Sequence, residues 1–308
     1  MITSLLSSCP LTSASPNDAG CAKRLLLRDC LERWERETHH GVCDTGRYRC
    51  RYVVWGRGPT LVLIPGLASD ALSFVMLMAR LQASFRCVSF DLPDGLEDGA
   101  RLSRYRHRDL VNDLFSLLDH LKIRECALFG FSFGSTIAMS ALHQRPGRFS
   151  HAIFLGGFAH RPLAAAEVFC ASWGRFLPGR LANLPWFERV LVRNEREIFQ
   201  AREPDVWDHF VERQGRTPIR AFATRALLLH QVDLRAILPG IGVPTLLVTG
   251  DRDPLVGRRC VEELARGLPF AARAEIEQCG HQAPFTHPEV LAEVVCQFML
   301  PASCDRPV

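Results

Sequence analysis

The run Glu125-Cys126-Ala127-Leu128-Phe129 leads directly into Gly130-Phe131-Ser132-Phe133-Gly134, and Ser135-Thr136-Ile137-Ala138-Met139-Ser140-Ala141-Leu142 follows. The first stretch is apolar and strand-like, the last is small and helix-compatible, and a serine between two glycines stands at the junction. A serine hydroxyl is a poor nucleophile until the backbone presents it to a base. A tight strand-to-helix turn does this by lifting the side chain above the sheet edge. Glycine is required on both sides, because a Cβ there would strike the neighbouring strand or helix. Taken alone, the pentapeptide also fits a glycine-rich turn with an incidental serine. The residues downstream decide between the two.

Pro244-Thr245-Leu246-Leu247-Val248-Thr249 reads as a buried parallel strand and ends in Gly250-Asp251-Arg252-Asp253-Pro254, which places carboxylates at a strand's C-terminal end. A helical segment (Val261 to Arg266) and a further strand (Ala274 to Glu277) then lead to Cys279-Gly280-His281. Serine, aspartate and histidine therefore follow one another in the chain order of one known catalytic triad. On these three motifs the chain resembles the α/β-hydrolase superfamily, over roughly residues 48 to 300.

The resemblance implies Ser132 as nucleophile, His281 as general base and Asp253 as the acid that orients it. Asp251 is the rival for the last role. In the family the acid stands three residues after the glycine of this turn, which selects Asp253 and leaves Asp251 to cap the turn. Some relatives carry the acid one strand earlier. Here that turn reads Leu155-Gly156-Gly157-Phe158-Ala159, without a carboxylate. The strand Pro59 to Ile64 is followed by Pro65-Gly66-Leu67-Ala68-Ser69-Asp70, where many relatives have His-Gly in place of Pro65-Gly66. By that match the backbone N–H groups of Leu67 and Phe133 form the oxyanion hole. One such donor is worth about 3–4 kcal/mol in comparable enzymes. Ser69 and Asp70 read as helix N-cap residues.

Elsewhere the pattern is one of alternation. Cys21 to Glu37 reads as an amphipathic helix, Arg49 to Trp55 and Leu61 to Ile64 as strands, Ala71 to Leu81 as a helix, and Arg86 to Phe90 as a strand. His107 to Leu121 carries leucines and a valine at helical spacing, and strand, helix and strand follow at Ala127–Phe129, Thr136–Gln144 and His151–Leu155. Such alternation predicts the α/β class: a mostly parallel sheet with helices on both faces. Asp91 and Asp94, at a strand end, read as turn residues.

Between Phe158 and about Ala236 the alternation stops. The stretch is helix-like, broken by five prolines, and rich in aromatics, including Phe169, Trp173, Trp207 and Phe210. It falls where α/β-hydrolases insert a helical cap. The expected organisation is a disordered N-terminus over 1–20, a hydrolase core over 21–157 and 237–301, and a cap over 158–236. Phe131, Trp173 and Trp207 are the candidate substrate-contact residues, with packing of the cap onto the core as the competing role. The segment Trp207-Asp208-His209-Phe210-Val211-Glu212-Arg213 resembles the maspardin-like branch, which keeps a binding protein among the alternatives.

Composition excludes other classes. The 308 residues are 47% hydrophobic and 23% charged, ordinary for a globular protein, and the net charge of +4 has no long basic run behind it, so no nucleic-acid partner is implied. No apolar stretch approaches the ~20 residues of a membrane span. The twelve cysteines include no C-x-x-C, and several lie inside strand-like runs. They read as reduced, buried thiols of a cytoplasmic protein, and neither a metal nor a cofactor is expected. The reading is a serine hydrolase acting on carboxylic esters of small to medium apolar substrates. Acyl transfer, C–C hydrolysis or perhydrolysis on the same triad is the second reading, and a catalytically idle binding protein the third. Dehalogenase and epoxide hydrolase chemistry is disfavoured, because those relatives carry Asp where this chain has Ser132.

Overall fold

A computed structural model describes residues 25–300. The expectation of a disordered segment over 1–20 lies outside the described residues. One eight-stranded sheet organises the rest: β1 (His39–Asp44), β2 (Arg49–Trp55), β3 (Thr60–Ile64), β4 (Arg86–Phe90), β5 (Cys126–Phe131), β6 (Phe149–Leu155), β7 (Thr245–Gly250) and β8 (Ala271–Ile276). The spatial order is β1-β2-β4-β3-β5-β6-β7-β8. Strand β2 runs antiparallel to both neighbours, and the pairs from β4 through β8 are parallel.

Successive side chains of a strand point to opposite faces, and here both faces are buried, which is why the central strands are apolar throughout. Val62 and Ile64 of β3 and Leu128 of β5 pack into one core with α3 (His107–His120), α4 (Phe133–Gln144) and α9 (Arg258–Gly267). Leu61 and Leu63 of β3, with Phe129 and Phe131 of β5, pack into the other with α1 (Leu27–Glu37), α2 (Val75–Leu81) and α11 (Pro288–Met299).

Three local expectations change. The helix expected over Ala71–Leu81 is split: Ala71–Phe74 is a 3₁₀ turn capped by Asp70, whose side chain accepts from Ser73 N–H, and α2 follows. Asp70 and not Ser69 is the cap. The leading helix begins at Leu27, after Leu26 in extended conformation. Strand β1 is not visible in the apolar pattern, because of its six residues only Cys43 is buried. A polar edge strand resists pairing with other chains, and for the same reason it carries little hydrophobic signal.

Between β6 and β7 the chain leaves the sheet and forms α5 (Ala165–Gly174), α6 (Phe187–Phe199), α7 (Pro204–Gly215) and α8 (Ile219–Gln231). Helix α5 packs on α8 in a small cluster of its own through Ala171, Ala223 and Ala226, whereas the others reach the main cores. Phe199, Val206 and Phe210 join one core, and Leu228 and Leu229 join the other. The short helix α10 (Ala283–Thr286) lies beneath them, with Phe285 against Phe210 at a ring-centroid distance of 5.4 Å.

Candidate active site

Ser132 occupies the single residue between β5 and α4, with φ 52° and ψ −118°. A positive φ is uncommon for any residue with a Cβ, and it persists only where the surroundings enforce it. Here they do. Ser132 N–H donates to Leu155 O at 2.9 Å, and the N–H and Oγ–H of Ser135 donate to Ser132 O at 2.9 and 2.6 Å. The flanking glycines let the turn close: a Cβ on Gly134 would lie 2.3 Å from Ile64 O, and one on Gly130 2.6 Å from Ser135 Cα. Phe133, directly after the serine, is the first residue of α4, so its N–H has no intrahelical acceptor and points out at the positive end of the helix.

The two other residues come from beyond the ends of β7 and β8, with β6 between these strands and β5. Asp253 follows β7, and His281 lies on the loop between β8 and α10. His281 Nδ1 and Asp253 Oδ2 are 2.7 Å apart, both side chains buried. The other carboxylate oxygen accepts from the N–H groups of Leu255 and Val256 at 2.8 and 2.9 Å. Burial alone raises the pKa of Asp253, but His281 and these two amides outweigh it, so the carboxyl sits below its ordinary value. It therefore stays ionised and fixes Nδ1–H on the imidazole, which leaves Nε2 without a hydrogen, able to accept a proton.

The imidazole rests on Phe131, the residue before Ser132, with ring centroids 5.1 Å apart. Gly156 holds the other side. Its φ is +54°, and a Cβ there would reach within 2.8 Å of His281 Cε1 and 3.4 Å of Asp253 Oδ2. The structure thus gathers Ser132, Asp253 and His281 around the C-terminal ends of β5, β7 and β8, where ligands bind in open α/β sheets. Asp251 is turned elsewhere: its Oδ1 accepts from Cys279 N–H at 3.0 Å and braces the histidine loop.

Leu67 lies on the loop after β3, and three groups from the helical insertion hold that loop. Arg225 of α8 donates to Leu67 O at 2.6 Å and also to Leu92 O and Pro93 O at 3.0 and 3.2 Å. Thr217 donates to Ala68 O at 3.0 Å, and Arg213 pairs with Asp70. Of the candidate substrate contacts, Phe131 is buried beneath His281. Trp207 packs against Phe199 and Phe210 with the Arg196 guanidinium over its ring. Trp173 is 64% exposed and touches Phe169, so these two candidates are on different surfaces of the insertion.

A family model described as the alpha/beta hydrolase fold matches residues 59–288, which spans all of these positions. The chain belongs to this family. Among curated relatives, a hydrolase of Bacillus subtilis named YugF is 25% identical over 78% of this chain and 89% of its own length. A pimeloyl-[acyl-carrier protein] methyl ester esterase of Stenotrophomonas maltophilia is 29% identical over 80% of this chain and 95% of its own. Among solved structures, the enol-lactonase of Burkholderia xenovorans superposes with a TM-score of 0.75 at 20% identity, covering 84% of this chain and 99% of that one.

Two residues beside this α/β-hydrolase site carried no functional reading in the sequence. Arg225 is one, and its signal was available: it stands alone between Ala221, Ala223, Ala226 and Leu228 on a buried helix face. Glu195 is the other. It is 2% exposed, yet it is embedded in Arg193-Asn194-Glu195-Arg196-Glu197, a run that reads as a solvated helix face.

Proposed function

We propose that this α/β-hydrolase is a serine hydrolase that cleaves carboxylic esters of small to medium apolar substrates through an acyl-enzyme. The observation that carries the reading is the 2.7 Å contact of His281 with an ionised Asp253, on an imidazole that lies against the ring of Phe131, the residue preceding a strained Ser132. In the first half-reaction Ser132 Oγ attacks the ester carbonyl carbon while His281 Nε2 takes its proton. The tetrahedral oxyanion is held by Phe133 N–H at the helix terminus and by Leu67 N–H. His281 then returns the proton to the leaving alcohol as the C–O bond breaks. Water repeats the sequence on the acyl-enzyme and releases the acid.

The insertion over 158–236 acts as a cap that shapes the acyl pocket. A curated relative named for a methyl ester, at 29% identity, supports the ester class without identifying the substrate. The test is labelling by an active-site fluorophosphonate alongside turnover of a panel of p-nitrophenyl esters. Wild type should label and turn over, and Ser132→Ala should lose both while keeping its circular dichroism, with a rate loss on the order of 10⁶. Labelling without ester turnover points to acyl transfer or C–C cleavage on the same residues. Absence of labelling points to a binding protein.

A further inference from the structure

The cap carries one buried carboxyl that no step above uses. Glu195 of α6 is 2% exposed, and neither of its oxygens has a hydrogen-bond partner. It lies against the histidine loop: a Cβ built on Gly280 would be 3.1 Å from Glu195 Oε2 and 3.3 Å from Ile198 Cγ1. The glycine before His281 is what allows α6 to settle there. A buried carboxylate without a partner is unfavourable, so a fold retains one only where something compensates.

The charged groups around it narrow what that can be. His281 and Asp253 are the two that act on Glu195. On α7, Arg213 is engaged by Asp70, His209 lies against Phe285, and Asp208 and Glu212 line a surface cleft with Glu188. On α6 itself, Arg196 covers Trp207, and Glu197 approaches Arg252 at 3.8 Å. The remaining positive charge that Glu195 faces is the one His281 acquires when it takes the serine proton.

We propose that Glu195 is a positioning residue: delivered by the cap onto the Gly280–His281 turn, its carboxylate stabilises the imidazolium formed in the transition state. The inference rests on the serine-hydrolase reading. Glu195 neither gives nor takes the proton in transit, which moves from Ser132 Oγ to His281 Nε2 and on to the leaving group. Burial, partly offset by His281, raises the Glu195 pKa to about 7. Below that value the carboxyl is neutral and contributes nothing; above it the charge is present. The ionised form acts on the positive charge that develops on the imidazole as the serine proton is taken.

The measurement is the rate of fluorophosphonate labelling of Ser132 from pH 5 to pH 9 in wild type, Glu195→Gln, Glu195→Leu and Glu195→Asp. It needs no knowledge of the natural substrate. At pH 9 the Gln and Leu variants should label roughly tenfold more slowly, the size of a one-unit mutual coupling between ionised groups. At pH 5, where Glu195 holds its proton, the difference should vanish, and Asp should restore much of the alkaline rate. Stability moves the opposite way. A folded-state pKa above the unfolded value means that stability is greatest below about 4.5 and falls as pH rises through about 7. Glu195→Gln should therefore melt higher than wild type at pH 9 while reacting more slowly. Leu covers the case in which Gln perturbs folding. A rate deficit equal at both pH values, or none at all in a wild type that labels, overturns the role of Glu195 alone. A wild type that does not label overturns the hydrolase reading and this inference together.

Discussion

Asp253 and Asp251 are two residues apart and chemically identical, and their surroundings separate them. Asp253 receives His281 and two backbone amides, whereas Asp251 receives the amide of Cys279. Asp253→Asn offers an amide where the imidazole needs an anion, so the histidine loses its tautomer and its charge stabilisation. In serine proteases that change costs ~10⁴ in kcat. Asp251→Asn keeps an oxygen for the Cys279 N–H and should cost less than about tenfold, within the range of one weakened surface hydrogen bond. Parallel kcat/KM values for the two variants decide the matter, and equal losses would mean that the wrong carboxylate has been assigned. In the sequence the choice of Asp253 came from the family resemblance, by its spacing from Gly250; both carboxylates reach the histidine loop, Asp253 through the His281 ring and Asp251 through the Cys279 amide.

Elements act on the site through their ends and through what they carry across. Helix α4 supplies its N-terminus to Phe133, and α8 supplies Arg225 to the loop that bears Leu67. One guanidinium satisfying three carbonyls of two loops is a rigid clamp, since its donors form a planar fork. Replacing Arg225 by Met removes three charge-assisted hydrogen bonds from a buried location. The relief of burying the guanidinium offsets part of what three such bonds contribute, so the loss should be roughly 2–4 kcal/mol in a urea titration. The loosened Leu67 loop should also slow acylation with little change in KM, because oxyanion donors act in the transition state. A variant that loses stability but acylates normally would show that the clamp serves folding alone. Arg225 lay on an otherwise apolar stripe, so its burial could be read from periodicity. Its partners could not, because Leu67, Leu92 and Pro93 are over a hundred residues away in the chain.

At the scale of the whole molecule the helical insertion has two surfaces with different chemistry. Inward, buried Phe199 and Phe210 form an aromatic cluster with half-buried Trp207, which also lines the surface cleft beside Glu188 and Glu212, and the cluster reaches Phe285 next to the histidine loop. Outward, Phe169, Trp173, Phe176 and Trp186 are exposed. Trp207→Ala should therefore lower the ratio of kcat/KM for octanoate over acetate esters, and Trp173→Ala should leave that ratio within twofold. Each methylene buried is worth ~0.8 kcal/mol, so a four-carbon preference built by the cap amounts to ~3 kcal/mol, or roughly a hundredfold. A ratio indifferent to Trp207 would assign the inner cluster to packing alone. From sequence the aromatics of this segment were indistinguishable, since both surfaces are built by helices of ten to thirteen residues with prolines between them or at their starts.

What the sequence determined by itself was the part governed by local rules. The mostly parallel sheet follows from strand-helix alternation, the tight strand-to-helix turn from two glycines around Ser132, and the chain order of serine, aspartate and histidine from three short motifs. No helix among the described residues is long and apolar enough to cross a membrane, in line with the absence of a long apolar run. Nine cysteines among those residues are free thiols, and burial raises the pKa of several, such as Cys279 to about 12. What only the tertiary structure decided were the contacts between distant segments: the packing of Phe131 against His281, the Arg225 clamp, and the burial of Glu195. A charged residue in a charged run looks solvated until the fold shows which surface covers it. The free energy of burying Glu195 depends on Gly280, 85 positions along the chain, and no local pattern encodes that pairing.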